Sequence, residues 1–312
     1  MHRPDPAAAI RSLRSAAPYI RMYKGKTFVV KAGGGVFADP AAVRGLIEQI
    51  AILHYFGVRV VFVHGGGPQL TEVTEALGVP TRMVQGRRVT DQKAIDATAM
   101  VLNGLINTKL LAFCREMDVD AVGISGVDAG LIRAHKRAPV KLADTGEMVD
   151  YGFVGDIDRI DTTVIKKLLD NGLMPVISPL SADDQGTLLN INGDTVAAAI
   201  GAALSAEKLM LCTGAPGILE RVDDPSSIIS YTDLNGLKRL REEKKIVDGM
   251  LPKAKAIEDA IRGGVRRDEI RSHPIPHNDD NMFSLAAVGC REPPDRGKRE
   301  AENKKNMEDS GF

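Results

Sequence analysis

Short apolar runs alternate along the chain with longer segments whose apolar residues recur at helical spacing. The short runs are rich in β-branched residues and predict strands buried on both faces of a parallel sheet: Thr27–Lys31, Val58–His64, Val119–Ile124, Met174–Ser178 and Lys208–Cys212. The segments with helical character are Ala41–Phe56, Gln69–Leu77, Gln92–Glu116, Asp161–Asn171, Asp194–Leu204 and Ala254–Gly263. This order predicts an α/β fold, a three-layer αβα sandwich with a central, mainly parallel sheet.

Residues 1–24 are predicted to form a helical extension before the first strand. Ile10, Leu13 and Ile20 are spaced to lie along one apolar stripe of a helix. Pro18 interrupts this segment. Because proline cannot donate a backbone hydrogen bond, we expect the helix to end or bend there.

The composition changes from about Arg267 onward, where the alternating pattern disappears. Twelve of the last 22 residues are Asp, Glu, Lys or Arg, and Pro274, Pro276, Pro293 and Pro294 add breaks. Such a segment buries too little apolar area to offset the entropy of ordering it. Residues 267–312 are therefore predicted to be a polar, disordered tail.

The overall composition is that of an ordinary globular protein and carries no charge bias. Apolar residues make up 44% and charged residues 26%, with 41 basic and 41 acidic side chains. This balance predicts neither nucleic-acid nor membrane-surface binding. No apolar run approaches the roughly 18–20 residues of a membrane span, and no secretory signal is evident. Cys114, Cys212 and Cys290 fit neither a disulfide framework nor a zinc site, which favours a cytoplasmic protein.

Glycine-rich segments follow the first two predicted strands. They are Lys31–Gly35, with the sequence KAGGG, and His64–Pro68, with the sequence HGGGP. Ligands of open α/β sheets bind beyond the carboxyl ends of the strands, and glycine N–H groups at a helix start favour anions. Either segment alone is also compatible with an ordinary turn. In that case Lys31 would be solvated, and His64 would be a packing residue. Two of them in one sheet favour a phosphate or carboxylate site.

Three further segments add candidate side chains. Arg88 is predicted to lie in a polar loop, where its guanidinium either binds a carboxylate or is solvated. The NINGD segment from Asn190 to Asp194 opens a helix. Its polar residues are therefore either caps or functional groups that position lysines or help hold magnesium. Lys253 follows Pro252 in a first helical turn, where a cation opposes the helix dipole, and this indicates a role with an anion.

These segments, with Cys212–Leu219 (CTGAPGIL) as a further glycine-containing strand end, resemble in this order the acetylglutamate kinase family of the amino-acid kinase superfamily. The match runs from about Pro18 to about Arg266, and its other motifs are AVGISGVDAGLIRA from Ala121, GFVGDI from Gly152 and the GMLPK segment that ends at Lys253. The chain also resembles the kinase domain of bifunctional N-acetylglutamate synthase/kinase proteins. The resemblance implies the amino-acid kinase, or carbamate kinase-like, fold.

The resemblance implies a kinase domain at residues 25–266, with an acceptor-binding lobe of about residues 25–180 and an ATP-binding lobe of about residues 181–266. Such an enzyme uses ATP and Mg²⁺ to phosphorylate the side-chain carboxylate of N-acetyl-L-glutamate in arginine biosynthesis. It is expected to be a homodimer, or a higher homo-oligomer formed through the N-terminal helix.

The resemblance also implies roles for individual residues. Lys31 and Lys253 would neutralise charge on the transferred phosphoryl group, and Asp194 would orient them. The acceptor would be bound by Gly66, Gly67, Arg88 and Asn190, and the phosphates and nucleotide by Gly33, Gly34, Thr213, Gly214 and Gly217. No residue is expected to bind a metal directly.

Three features depart from the family pattern. Ala32 replaces an aromatic or bulky residue, Gly214 stands where an aspartate is usual, and the polar tail replaces the closing strands expected after Arg266. The alternative hypotheses are therefore a non-catalytic arginine-sensing or oligomerising module, and a kinase for a related acceptor such as N-acetyl-aminoadipate.

Overall fold

The structure is a computed structural model that describes residues 6–84, 87–142, 145–213, 218–221, 224, 227–229, 231–243, 245–246, 250–265, 270–277 and 281–288. Its strands are β1 (Thr27–Ala32), β2 (Arg59–His64), β3 (Arg82–Val84), β4 (Arg87–Val89), β5 (Ala121–Ser125), β6 (Ile132–Lys136), β7 (Val140–Lys141), β8 (Met148–Val149), β9 (Gly155–Ile160), β10 (Met174–Ser178), β11 (Leu180–Ala182), β12 (Leu188–Asn190), β13 (Lys208–Thr213), β14 (Tyr231–Thr232), β15 (Ile270–His277) and β16 (Asn281–Val288).

The helices are α1 (Pro6–Tyr23), α2 (Pro40–Tyr55), α3 (Gly67–Ala76), α4 (Gln92–Ala99), α5 (Asn107–Glu116), α6 (Thr163–Asp170), α7 (Gly193–Ala203), α8 (Leu234–Glu242) and α9 (Met250–Arg262). Short 3₁₀ turns lie at Val36–Ala38 and Asp128–Gly130. A π-helical stretch, Met100–Ile106, joins α4 to α5, so the predicted helix Gln92–Glu116 is one continuous helical run with a wider middle.

A single large sheet forms the middle layer of the molecule. Its order is β14-β15-β16-β13-β1-β2-β10-β5, and the five strands from β13 to β5 are parallel. The carboxyl ends of these five strands therefore meet at one edge of the sheet. The predicted α/β fold with a central, mainly parallel sheet is confirmed.

Both faces of the central parallel strands β1, β2 and β10 are buried, as their continuous apolar sequences predict. In β1, Val29 belongs to one core cluster, whereas Phe28 and Val30 belong to the other. The first cluster includes residues of α6, α7, α8 and α9, and the second includes residues of α2, α3, α4 and α5. Since neighbouring residues of a strand point to opposite faces, each helical layer receives alternate side chains.

The far side of β13 differs from the sequence prediction. β16 pairs antiparallel with β13, and β15 pairs antiparallel with β16, so residues 270–277 and 281–288 are strands rather than a disordered tail. The physical reason is that β13 would otherwise be a sheet edge with unpaired backbone groups. The predicted disorder of residues 267–269, 278–280 and 289–312 falls outside the described residues.

Among the described residues, three smaller sheets accompany the large one. A four-stranded sheet has the order β12-β11-β6-β9, and two hairpins are formed by β3 with β4 and by β7 with β8. A small apolar cluster of Leu142, Val149 and Tyr151 packs with Val84 and Val89 and connects the hairpins. Arg88 lies on β4 of the first hairpin, so the prediction that it lies in a polar loop between helices is wrong.

The N-terminal extension is helical over Pro6–Tyr23 and continues through Pro18. The expected end of the helix is not observed, because Pro18 is exposed and water can satisfy the carbonyl that lacks its partner. Ile10 and Leu13 remain more than half exposed.

The helical run Gln92–Glu116 is long and apolar enough to cross a membrane by length and composition, the only such helix in the part of the chain described. Core helices of water-soluble proteins pass the same test. Here Leu102, Ile106 and Leu110 are buried in the core, so the apolar face of this run already packs within the protein.

Candidate active site

The two glycine-rich segments lie against each other at the carboxyl ends of β1 and β2. The Gly65 N–H donates to the carbonyl of Ala32 at 2.9 Å. A Cβ atom on Gly34 would lie 2.4 Å from Cδ of Pro68 and 3.1 Å from the nitrogen of Gly67. No larger residue fits between the segments, so close packing of backbone against backbone requires glycine at position 34.

The NINGD segment before α7 reaches the same point. A Cβ atom on Gly193 would lie 3.3 Å from Cε of Lys31 and 3.4 Å from the carbonyl oxygen of His64. A Cβ atom on Gly33 would lie 3.5 Å from Nζ of Lys31. The structure thus brings three of the predicted segments together around the Lys31 side chain.

Asp194 lies between two lysines from opposite ends of the sequence. Lys31 Nζ is 2.6 Å from Oδ1 of Asp194, and Lys253 Nζ is 3.2 Å from Oδ2. The side chains of Lys31 and Asp194 are about 5% exposed and that of Lys253 is 16% exposed. Two cations against one anion leave this buried cluster with an excess positive charge, which suits a ligand that carries negative charge.

Burial and mutual attraction act in opposite directions on these groups. Burial opposes ionisation of Asp194, but Lys31 and Lys253 outweigh it and lower the pKa of the carboxyl below its ordinary value. Burial lowers the pKa of Lys31, and the neighbouring Lys253 adds to this effect while Asp194 counteracts it. The carboxylate of Asp194 is therefore the group that favours the charged form of Lys31 at this buried position.

Residues of the NINGD segment have both of the roles that the sequence left open, helix capping and the positioning of lysines. Oδ1 of Asn192 accepts from the N–H groups of Asp194 at 2.9 Å and Thr195 at 3.1 Å, so Asn192 is the N-cap of α7. The Asp194 side chain points instead to the two lysines. Capping accounts for Asn192, and Asp194 is the member of the segment that lies in the charged cluster.

Arg88 on β4 lies over the first turns of α3. Its guanidinium donates to the hydroxyl of Thr81 at 2.7 Å and of Thr71 at 2.5 Å, and to the carbonyl of Gly67 at 3.4 Å. Burial lowers the pKa of Arg88, and Glu75 counteracts this, yet an arginine stays charged in proteins. Arg88 is thus half-buried and held beside the second glycine-rich segment, not extended into water.

Asn190 at the end of β12 is connected to the Arg88 hairpin through the backbone. The carbonyl of Thr90 accepts from the Phe153 N–H at 2.7 Å, and the carbonyl of Phe153 accepts from the Asn190 N–H at 2.8 Å. Gly152 has φ +71°, and a Cβ atom there would lie 2.1 Å from the Thr90 carbonyl oxygen. The GFVGDI segment therefore lies between the residues after β4 and the end of β12, and its backbone connects the two.

The predicted nucleotide-binding residues are less completely described. Thr213 ends β13, beside β1, at the same edge of the sheet. Gly214 and Gly217 lie outside the described residues. Their assignment remains a prediction, supported by the position of the strand that leads into them.

No group of His, Cys, Asp and Glu side chains suited to hold a metal ion occurs among the described residues. Asp194, the carboxylate nearest the glycine-rich segments, already has a lysine at each oxygen. It does not fit a magnesium ligand.

The described thiols are not suited to nucleophilic chemistry. Burial raises the pKa of Cys114 to about 11 and that of Cys212 to about 12. Both thiols are therefore protonated and shielded at neutral pH. Cys290 lies outside the described residues.

His64 is a fully buried residue with two defined partners. Its Nδ1 lies 3.1 Å from the carbonyl oxygen of Gly65, and its Nε2 lies 3.2 Å from Nδ2 of Asn107. Burial lowers the pKa of His64 to about 4, with a further contribution from Lys31. His64 is thus neutral at physiological pH and has the packing and hydrogen-bonding role that the sequence left open for it.

This pKa predicts a pH-dependent loss of stability. Between about pH 6.5 and pH 4 the unfolded chain binds a proton on His64 and the folded chain does not, so stability falls as the pH falls through this window. The full contribution is about 3 kcal/mol. Urea unfolding from pH 7.5 to pH 4.5 should show a steeper loss of unfolding free energy for the wild type than for His64→Asn. Parallel curves would contradict the burial of a neutral His64.

Two residues at the site were not predicted from sequence. Asn107 contacts His64 and also donates to the carbonyl of Val176 at 3.0 Å. Gln69 donates to the carbonyl of Gly34 at 2.9 Å and so links the two glycine-rich segments. The signal for Asn107 was a polar residue within an otherwise apolar helical stretch. Gln69 carried no sequence signal beyond its place after the HGGGP segment.

Comparison with known proteins places this site in context. The sequence pattern described as the amino acid kinase family matches residues 26–272. The acetylglutamate kinase of Myxococcus xanthus (strain DK1622) is 48% identical over 266 residues, which cover 84% of this chain and 85% of that protein. The acetylglutamate kinase of Symbiobacterium thermophilum is 41% identical over 266 residues, which cover 85% and 90% of the two chains.

A solved structure has a similar fold. It is N-acetylglutamate synthase from Neisseria gonorrhoeae complexed with coenzyme A and N-acetyl-glutamate, with a TM-score of 0.69 and 25% identity. The match covers 82% of this chain and 56% of the synthase, so this chain spans little more than half the length of that protein.

Proposed function

Because the chain belongs to the acetylglutamate kinases of the amino acid kinase family, we propose that it transfers the γ-phosphoryl group of ATP to the side-chain carboxylate of N-acetyl-L-glutamate. The product is an acyl phosphate, and the pathway is arginine biosynthesis. The observation that carries the proposal is the buried cluster in which Asp194 lies between Lys31 and Lys253. A sensor module without turnover has no need of two buried lysines beside glycine-rich strand ends.

The lysines supply charge where the reaction develops it. Lys31 and Lys253 neutralise the charge on the oxygens of the phosphoryl group as it is transferred, and Asp194 holds both ammonium groups in position. The acceptor carboxylate is already ionised at neutral pH, so no general base is required. Catalysis then consists of in-line positioning and electrostatic stabilisation.

The glycine-rich segments supply backbone donors on either side of the phosphoryl group. Gly33 and Gly34 donate N–H groups to phosphate oxygens, and Gly66 and Gly67 donate to the acceptor. The proximity of Gly34 to Gly67 supports this arrangement, because it places the two sets of donors side by side. Magnesium enters on the ATP phosphates and neutralises their charge.

Arg88 and Asn190 hold the acceptor, and Thr213, Gly214 and Gly217 contact the nucleotide. This assignment divides the domain into an acceptor-binding lobe of about residues 25–180 and an ATP-binding lobe of about residues 181–266. The connection between Arg88 and Asn190 through Phe153 supports a shared acceptor site.

We also propose that the enzyme is cytoplasmic and forms a homodimer or a higher homo-oligomer. In the described part of the chain, β5 pairs on one side only, and α1 exposes Ile10 and Leu13. Light scattering on the purified protein tests the assembly, and a monomer mass would contradict it.

The experiment that tests the function is a coupled assay of ADP release. With N-acetyl-L-glutamate the purified protein should turn over, whereas glutamate, aspartate and aminoadipate derivatives should support much less. Faster turnover with an N-acetyl-aminoadipate derivative would favour that acceptor. No turnover with any acceptor, together with measurable arginine binding, would favour the sensing module.

Arg88 is predicted to act on acceptor affinity. Arg88→Lys should raise KM for N-acetyl-L-glutamate by about tenfold with a small change in kcat, because a lysine cannot hold a carboxylate bidentately. The matched control is Arg87→Lys, an exposed arginine on the same strand. An unchanged KM in Arg88→Lys, with an unchanged melting temperature, would remove Arg88 from the acceptor site.

A further inference from the structure

A buried polar pair lies directly behind the HGGGP segment. His64 is fully buried and Asn107 is 4% exposed. The pair joins β2, which ends in His64, to α5, which begins at Asn107, and Asn107 also bonds to Val176 on β10. This pair is not part of the charged cluster, and capping does not explain it.

The partners define the protonation state of the imidazole. A carbonyl oxygen only accepts, so the Nδ1 that faces the Gly65 carbonyl at 3.1 Å must carry the hydrogen. The Asn107 amide nitrogen faces the Val176 carbonyl, which orients the amide group. The same nitrogen therefore donates to Nε2 of His64. Asn107 thus selects the neutral tautomer that can hold the Gly65 carbonyl.

Holding this carbonyl also aims a backbone donor. The Gly65 carbonyl and the Gly66 N–H belong to one planar peptide group and point in opposite directions. The preceding peptide is held as well, because the Gly65 N–H donates to Ala32 at 2.9 Å. Ala32 thus holds the peptide group before Gly65, and His64 holds the peptide group after it. The second of these contacts determines the direction of the Gly66 N–H.

Side chains of the π-helical stretch Met100–Ile106 pack against Gly66. A Cβ atom on Gly66 would lie 2.3 Å from Cδ1 of Ile106 and 2.8 Å from Cδ2 of Leu102. Asn107 also packs against Gly123 of β5, since a Cβ atom on Gly123 would lie 1.9 Å from Oδ1 of Asn107. Segments of π-helix often occur at functional sites.

We infer that His64 and Asn107 are positioning residues that aim the Gly66 N–H at the acceptor carboxylate, with the π stretch of the helix as its support. This inference rests on the proposed function, in which Gly66 donates to the acceptor. Neither side chain contacts substrate. Their effect passes through the Gly65–Gly66 peptide group.

Two substitutions of His64 separate positioning from packing. In His64→Asn the side-chain amide occupies the place of Nδ1 and can still donate to the Gly65 carbonyl. In His64→Gln the amide occupies the place of Nε2, fills more of the cavity and loses that donor. We expect His64→Gln to lower kcat by about 10²-fold, the effect of a displacement of about 1 Å at a reacting centre. His64→Asn should lose tenfold at most, with KM for ATP unchanged in both.

A purely structural histidine predicts the reverse order, because glutamine matches its volume better. Equal kcat in the two variants, or a more active His64→Gln, at comparable melting temperatures, would overturn the inference. His135→Gln, on an exposed histidine, is the control for the general effect of the substitution and should leave kcat unchanged.

A measurement on the wild type keeps the inference testable if the variants fold poorly. Nitrogen-15 NMR of the histidine side chains should show one imidazole with hydrogen on Nδ1 that does not titrate between pH 5.5 and about pH 8. A buried imidazole with hydrogen on Nε2 would overturn the inference. The wild type is assayed in parallel, because an inactive wild type contradicts the proposed function, whereas an active wild type with the wrong variant order contradicts the positioning role alone.

Discussion

Lys31→Met is expected to lower kcat by about 10²–10³-fold, the usual effect of removing one preorganised charge donor. Methionine keeps most of the length of the side chain and removes its charge. Asp194 retains Lys253 at 3.2 Å, so the carboxylate still has a partner and the fold should persist. Steady-state kinetics of ADP release and a melting curve of the same sample measure both effects.

Lys253→Met should behave in the same way, and the chain offers a matched control two residues further along α9. Lys255 pairs with Asp259 on the surface, where its side chain is 64% exposed. Lys255→Met should therefore leave kcat within about twofold and stability within about 0.5 kcal/mol. Near-normal turnover in both Lys31→Met and Lys253→Met would rule out the two-lysine mechanism.

Asp194→Asn is expected to affect both turnover and stability. Removing the one anion leaves two ammonium groups close together in a buried site, and breaking a buried pair in this way costs about 3–5 kcal/mol. Losing the proton of Lys31 reduces this electrostatic cost, so the site also loses a cation. We therefore expect kcat to fall by about 10²-fold or more. Urea unfolding and the ADP-release assay measure the two losses.

The pH dependence identifies the cause of this instability. A lysine with a lowered pKa binds fewer protons in the folded state than in the unfolded state, so stability rises with pH toward about pH 10. Asp194→Asn should therefore recover stability between pH 7 and pH 9.5 more steeply than the wild type. Asp259→Asn, which breaks the surface pair with Lys255, should show no such recovery. Equal slopes in the two variants would contradict the role of Asp194.

The parallel core of the sheet was predictable because each of its strands has a continuous apolar sequence. Thr27–Ala32 and Arg59–His64 differ from their predicted bounds by one residue at one end. Strands buried on both faces produce such runs by necessity. The proximity of Lys31 to the segment after β2 also follows, since the carboxyl ends of parallel strands share one edge. The segment before α7 follows β12, which belongs to a different sheet, so its position beside Lys31 does not follow from this rule.

The small hairpins and the antiparallel end of the sheet were not predictable in the same way. Val140–Lys141 and Met148–Val149 form strands of two residues, too short for any periodic signal. The strand Ile270–His277 contains Pro274 and Pro276, which argue against a strand in sequence terms. Both prolines lie opposite residues of β16 and beyond the two residues of this strand that pair with β14.

The contacts of Asn107 show why long-range side-chain pairs escape sequence analysis. Asn107 contacts Val176, 69 positions later, and His64, 43 positions earlier. Nothing local to any of the three residues indicates the other two. The tautomer of His64, and with it the direction of one backbone donor, depends on a contact that only the fold creates.

Trapping the product with hydroxylamine tests most directly whether the enzyme phosphorylates the side-chain carboxylate of N-acetyl-L-glutamate. With ATP, magnesium, hydroxylamine and N-acetyl-L-glutamate, we expect one hydroxamate for each ADP released. N-acetyl-L-glutamine, which keeps the α-carboxylate and lacks the side-chain carboxylate, should give neither product. Release of ADP without hydroxamate, or equal hydroxamate from the two acceptors, would contradict transfer to the side-chain carboxylate.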